Sequence, residues 1–236
     1  MNLRHGLNRI LAVALVASCT VAAQQTVGGL HGIFAGSTDV GKLLKGATVY
    51  EPASGSYRVT GGGADMWGGE DAFHFSWVRL SGDATLTADV HFPSGGVPPL
   101  EKAVLIFRQS LDPTSPYADV AIHRDGHVTL QYRAVTGGKT EDVTSPEHGS
   151  TRLRIERSGN RFTAFTGSGD GKLTAFSTST VLLDDPVYVG IGVCSHNADG
   201  LTTVTFSNVT LAQHGREPAP DSASNSSSGA LRRSRS

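Results

Sequence analysis

Apolar and polar residues alternate with a period of two through most of the chain, and no stretch of convincing length shows the period near 3.6 that an amphipathic helix needs. The register is most easily read around Asp125-Gly126, which separates two alternating runs, 117–123 and 127–133. Gly after Asp supplies the positive φ of a tight hairpin turn. Alternation then puts Ala118, Val120 and Ile122 on one side of the first strand and Tyr117, Asp119, Ala121 and His123 on the other. In the second strand Val128, Leu130 and Tyr132 share the buried side, and Thr129, Gln131 and Arg133 point away. The apolar run 103–107 precedes this hairpin and ends in Arg108-Gln109-Ser110. If Leu105 and Phe107 face the core, Arg108 joins the same polar row.

Other segments repeat the pattern. Phe73, Phe75 and Trp77 are expected to face the core, which turns His74 and Ser76 to the opposite surface. Leu86, Ala88 and Val90 alternate with Thr85, Thr87 and Asp89, and Leu153 and Ile155 with three charged residues whose role reads as solubility. In 187–196 the row Val187, Val189, Ile191, Val193 opposes Tyr188, Gly190, Gly192, Cys194 and His196. The two glycines there predict a shallow trough with an aromatic at one end and a histidine at the other. About a dozen short strands, separated by Gly, Pro, Asn and Asp clusters, predict an all-β protein: a two-sheet antiparallel sandwich.

The phrase Gly61-Gly62-Gly63-Ala64-Asp65-Met66-Trp67-Gly68-Gly69 is the most unusual composition in the chain. Glycine-rich loops that hold phosphate need a helix N-terminus behind them, and an alternating strand follows here instead. The glycines therefore read as room for close backbone packing beside Trp67.

The ends of the chain read differently from its middle. Residues 1–23 combine Arg4 and Arg9, a short apolar stretch and Val21-Ala22-Ala23, the pattern of an export signal cleaved before Gln24. Leu15-Val16-Ala17-Ser18-Cys19 also fits a lipobox, in which Cys19 becomes a lipidated first residue. Either route places the protein in the periplasm or outside the cell. No later stretch is apolar and long enough to span a membrane. Residues 24–212 are enough for one sandwich domain. Residues 213–236 are rich in Ser and carry too little apolar surface to fold. Cys19 and Cys194 are the two cysteines, so the mature chain holds no internal disulfide. A net charge of −1 with interspersed signs argues against a nucleic-acid partner.

Several phrases together resemble the concanavalin A-like lectin/glucanase jelly rolls. They are 60–68 with 71–75, then Phe107-Arg108-Gln109-Ser110, Tyr117-Ala118-Asp119-Val120-Ala121, Leu130-Gln131-Tyr132-Arg133 and 190–196. More narrowly, they are similar to secreted bacterial domains of unassigned function found alone or appended to TolB-like β-propellers. The resemblance spans about residues 33–211 and implies a jelly-roll sandwich; the superfamily includes lectins, sugar-binding modules and hydrolases, so it does not select an activity.

Tests for chemistry narrow the choice. The resemblance implies, for a retaining glucanase, a Glu-x-Asp-x-Glu strand, whose alternate positions share a face and set the carboxylate separation that retention requires. None of Glu51, Glu70, Glu101, Glu141, Glu147, Glu156 and Glu217 has that neighbourhood. Gly-x-Ser-x-Gly, His-Glu-x-x-His and Cys-x-x-Cys are also absent. His74, His123 and His196 could meet as a metal set if all three leave the same face, but no metal or cofactor is expected. Calcium through Asp39, Asp170 or Asp199 lacks a ligand series. The expected function is an exported, lectin-like module that binds a saccharide on the concave sheet face. His74, Arg108, Asp119, His123, Gln131, Arg133 and His196 would supply hydrogen bonds, and Trp67 and Tyr188 stacking platforms. A solvated outer face would carry the same polar pattern. Two alternatives stay open. One is a glycoside hydrolase or lyase with Asp119 or Asp71 as acid/base and His123 as partner; the other is a cell-envelope structural or interaction domain, favoured if Cys19 is lipidated.

Overall fold

The computed structural model describes residues 32–93, 100–169 and 171–214. The export signal, the lipobox, Asp170 and the tail beyond His214 lie outside the described residues. Within them the regular structure is entirely β, with strands numbered in chain order. A first sheet has the order β1 (Gly36–Val40), β6 (Phe73–Leu80), β15 (Val187–Cys194), β8 (Lys102–Arg108), β9 (Tyr117–His123), β10 (Val128–Arg133), β11 (Glu141–Thr144). A second has the order β14 (Thr174–Thr180), β13 (Arg161–Gly167), β12 (Arg152–Ser158), β7 (Asp83–His91), β16 (Asn197–His214), β3 (Ser56–Gly63), β2 (Ala47–Glu51). A two-residue ribbon, β4 (Met66–Trp67) with β5 (Glu70–Asp71), stands apart from both. Every strand pairing is antiparallel, and β16 runs two residues into the segment expected to be tail.

The β9–β10 hairpin has the expected register, with Val128 opposite Ile122 and Arg133 opposite Tyr117, and Gly126 at φ 92° in the turn. Between the sheets lies the main core. Leu105, Phe107, Val120, Leu130, Val189 and Ile191 of the first sheet pack there against Leu86, Ile155, Phe162, Val204 and Phe206 of the second.

The first sheet is apolar on its outer face as well. Val40, Met66, Phe73, Phe75, Val104, Ile106, Tyr117, Ala121 and Cys194 form a second buried cluster there, with Trp77, Leu111 and Tyr188 at its margin. Met66 brings the β4–β5 ribbon onto this layer, and Leu111 brings in the loop after β8. The expected facing of β6 is therefore reversed. Val193 pairs with His74 and Gly192 with Phe75, so His74 and Ser76 share the inter-sheet side with Val193 and Ile191, while Phe73, Phe75 and Trp77 point outward. A strand with apolar layers on both sides offers two places for its aromatic row, and alternation alone cannot choose between them.

The same reversal fills the expected trough of β15. A Cβ at Gly192 would lie 2.7 Å from the Phe73 ring, and one at Gly190 1.9 Å from the Ser76 carbonyl oxygen. These glycines admit the neighbouring strand rather than a ligand. The glycines of β3 do provide close backbone packing: a Cβ at Gly61 would lie 2.1 Å from the Val193 carbonyl oxygen, and one at Gly63 1.9 Å from that of Ala72.

Candidate functional site

Parity puts Lys102 and Arg108 of β8, Tyr117, Asp119 and His123 of β9, and Thr129, Gln131 and Arg133 of β10 on one face, as the registers of these strands require. That face is closed. Arg108, Asp119 and Arg133 are 0% exposed and Gln131 2%. The arginines hold down the chain that covers them. Arg133 Nη2 donates to Asp71 Oδ1 at 2.7 Å and its Nη1 to Asp71 Oδ2 at 2.9 Å, while Arg108 Nη1 reaches Asp71 Oδ2 at 3.2 Å. Remaining guanidinium hydrogens go to carbonyl oxygens: Ser110 and Asp112 from Arg108, and Gly68, Pro113, Ser115 and Gly138 from Arg133. One buried carboxylate on β5 thus fastens the ribbon and two loops to the sheet. Asp71 and Asp119 have no exposed side-chain surface from which to act on a polymer.

His74 is apart from this row. It lies between the sheets, with Nδ1 2.6 Å from Asp39 Oδ1 and Nε2 3.1 Å from Thr48 Oγ1 of the opposite sheet. His123 stacks on His127 at 3.8 Å between ring centroids, and His196 follows the end of β15. The three histidines do not meet, and among the described residues no group of His, Cys, Asp and Glu is arranged to hold a metal ion. Tyr188 is half-buried at the far end of β15 from His196, edge-on to Trp77 and beneath Arg79. Burial pushes the Cys194 thiol up to about 12 and keeps it protonated.

Burial also moves two groups of the row in ways that affect stability. His123 is held down to about 3, first by desolvation and then by His127. Asp119 is pushed well above its ordinary 3.8 by desolvation, which outweighs Lys102 nearby. An unfolded chain takes up the His123 proton near pH 6.5 and the folded one near 3, so His123 contributes stability that falls as pH drops through that window. Folded Asp119 retains a proton that the unfolded chain releases above about pH 4, so its contribution is present below that value and is lost as pH rises. Above about pH 4 the two contributions have opposite signs, His123 gaining and Asp119 losing as pH rises. Urea unfolding from about pH 4 to 6.5 should give a shallower profile for the wild type than for variants that lack one of the two groups. His123→Leu should lose stability as pH rises, and Asp119→Asn should gain it.

An open cleft lies at the edge of the cover. A cavity of about 470 Å³ is lined by Lys42, Leu43 and Leu44 of the β1–β2 loop, Asp65, Glu70 and Ala72 around the ribbon, and Ala198 and Asp199 after β15. Strand alternation in the ribbon explains the outward set. Met66 and Asp71 pair and point inward, while Trp67 and Glu70 pair and point out. Trp67 is 39% exposed. Asp65 ties the cleft to the sheet: its Oδ1 accepts from Met66 N at 2.7 Å and Lys102 Nζ at 2.6 Å, with His196 Nδ1 at 3.5 Å. Lys102 Nζ also lies 5.8 Å from the centroid of the Trp67 ring. None of the nine expected site residues lines this cleft; Trp67 is paired with the lining residue Glu70, and His196 lies beside the lining residue Asp65. The sequence pattern does not single out Lys42, Asp65 or Glu70 for a site, and offers Asp199 only as a calcium ligand without a ligand series. The one sequence signal near them is the glycine-rich phrase that contains Asp65 and Trp67.

The architecture has solved counterparts. A functionally unknown protein from Saccharomyces cerevisiae is similar at a TM-score of 0.59 and 20% identity, covering 75% of this chain and 96% of that one. A carbohydrate-binding module, CBM66, from Bacillus subtilis is similar at 0.51 and 17% identity, covering 76% and 97%. At these identities the likeness is one of fold: an all-β, two-sheet antiparallel jelly-roll sandwich. No protein-family model matches the chain, and no curated protein matches it.

Proposed function

We propose that this protein is an exported saccharide-binding module whose ligand lies in the cleft beside Trp67, at the edge of the covered sheet face. The observation that carries this reading is the cleft itself. Its volume is that of a small-ligand site, its wall includes Leu43, Leu44 and three carboxylates, and the exposed indole of Trp67 stands on the residue paired with Glu70 of that wall. Carboxylate oxygens accept hydrogen bonds from adjacent sugar hydroxyls, and an indole face packs on the apolar side of a pyranose ring. Arg108, Asp119, His123, Gln131 and Arg133 then stand behind the site, and Tyr188 lies away from it. The Bacillus subtilis module, named for carbohydrate binding, has the same fold and lends the reading plausibility of scaffold alone.

A glycan array followed by calorimetry tests it. One glycan class should bind, and Trp67→Ala should weaken it by about tenfold or more, which is about 1.4 kcal/mol. Glu70→Gln and Asp199→Asn, both on exposed side chains, should weaken binding without changing the unfolding curve. Absence of binding to every glycan, or wild-type affinity in Trp67→Ala, counts against the reading. Mass spectrometry of the mature protein tests export: Gln24 or a diacylated Cys19 should be its first residue, and an intact Met1 would exclude both.

A further inference from the structure

Four side chains around Ala121 carry buried polar atoms with no hydrogen-bond partner among the described residues. Asp119, His123, Thr129 and Gln131 are all more than nine-tenths buried. Both carboxyl oxygens of Asp119, both ring nitrogens of His123, Thr129 Oγ1 and Gln131 Oε1 make no hydrogen bond among the described residues. Their placement is set by register. Gln131 lies opposite Asp119 and Thr129 opposite Ala121, while Asp119, Ala121 and His123 take alternate positions along β9. A methyl group thus sits at the centre of a ring of longer polar side chains, all leaving the same face. Folded proteins rarely leave even one buried polar group unpaired, so six such atoms in one place point to a guest.

The donors and acceptors indicate its chemistry. With His123 and Asp119 held neutral by burial, the ring offers three donors: the Asp119 carboxyl O–H, one His123 N–H and the Thr129 hydroxyl. It also offers acceptors in the Asp119 carbonyl oxygen, the second His123 nitrogen, Thr129 Oγ1 and Gln131 Oε1. A cation would face the three donors and Lys102, which is directly opposite His123 on β8. An anion would face Gln131 Oε1 and the Asp119 oxygens. The neighbouring cations already have counter-charges, Lys102 in Asp65 and the two arginines in Asp71. A hydroxyl group both donates and accepts.

We propose that Asp119, His123, Thr129 and Gln131 form an internal site for neutral hydroxyl-bearing molecules on the covered outer face of the first sheet. It is distinct from the cleft and does not depend on the saccharide reading. Its source of hydroxyls is either water or a small polyol. At about three hydrogen bonds per buried water, six atoms correspond to about two waters.

Crystals of the full mature chain grown without polyol, with a second set soaked in glycerol, separate the two sources. Oxygen density about 2.7–3.2 Å from at least three of the four side chains is expected. Separate peaks in both sets assign water; connected density in the soaked set assigns the polyol. Oxygen-17 relaxation dispersion should count about two fewer long-lived waters in Asp119→Leu/Gln131→Leu, and at least one fewer in the nearly isosteric Thr129→Val, which keeps the shape of the site. An ion on these atoms, direct bonds among the four side chains with no guest between them, or an unchanged water count in Thr129→Val would overturn the proposal.

Discussion

Asp71→Ala is expected to destabilise the protein by about 3–5 kcal/mol, because it leaves two guanidinium groups buried without their counter-charge. Both arginines and the aspartate have fully buried side chains. Desolvation weakens the protonated form of Arg108, and Asp71 is the first influence that opposes it. Asp71→Asn, which keeps an acceptor oxygen but not the charge, should fall between the variant and the wild type. Replacing all three residues together by Leu at 71 and Met at 108 and 133 should recover much of the loss, since a buried ion group is often matched by apolar side chains of similar volume. Denaturant unfolding measures these differences. Hydrogen exchange locates them: amides of β4 and β5 should exchange faster in Asp71→Ala than those of β12 and β13 in the other sheet. A loss under about 1 kcal/mol would mean that the cover is held mainly by its apolar contacts.

Gly63→Ala should be comparably damaging for a backbone reason. Gly63 has φ 113°, and a Cβ there would lie 1.9 Å from the carbonyl oxygen of Ala72. Neither the conformation nor the approach can be relieved by turning a side chain, so a cost of about 3–5 kcal/mol is expected. Gly55→Ala is the control. Gly55 also has a positive φ, 65°, but nothing lies within 4 Å of its added Cβ, so the cost there should be about 1 kcal/mol, from the left-handed backbone alone. Unfolding midpoints of the two variants separate steric contact from conformational preference.

Sequence and structure agree where one physical rule governs. In the β9–β10 hairpin a turn that demands glycine fixes the register, and a period of two then assigns every side chain. They part at His74. Its strand is sandwiched between two apolar layers, so the alternation is real but its direction depends on packing partners far along the chain. Burial of Arg108 and Arg133 was hidden for a related reason. A polar row facing water and a polar row neutralised by a distant carboxylate are spelled alike, and Asp71 is 37 residues from Arg108 and 62 from Arg133. The cleft is built from the loops after β1 and β3, the short strand β5 and the start of β16, and no single period links Asp65, Glu70 and Asp199. What could be read was that the glycine-rich phrase is a place of close packing beside an indole.

The central claim is that ligand meets this sandwich at the edge of the cover and leaves the buried row untouched. Backbone amide NMR spectra, recorded while the best-binding glycan is titrated in, address it directly. The account predicts shift changes concentrated in residues 41–44, 64–72 and 196–200, with Trp67 indole among the largest. Changes centred instead on Arg108, Asp119 and Gln131, with loss of protection in the β4–β5 ribbon, would contradict it by showing that the cover opens and the sheet face is the site.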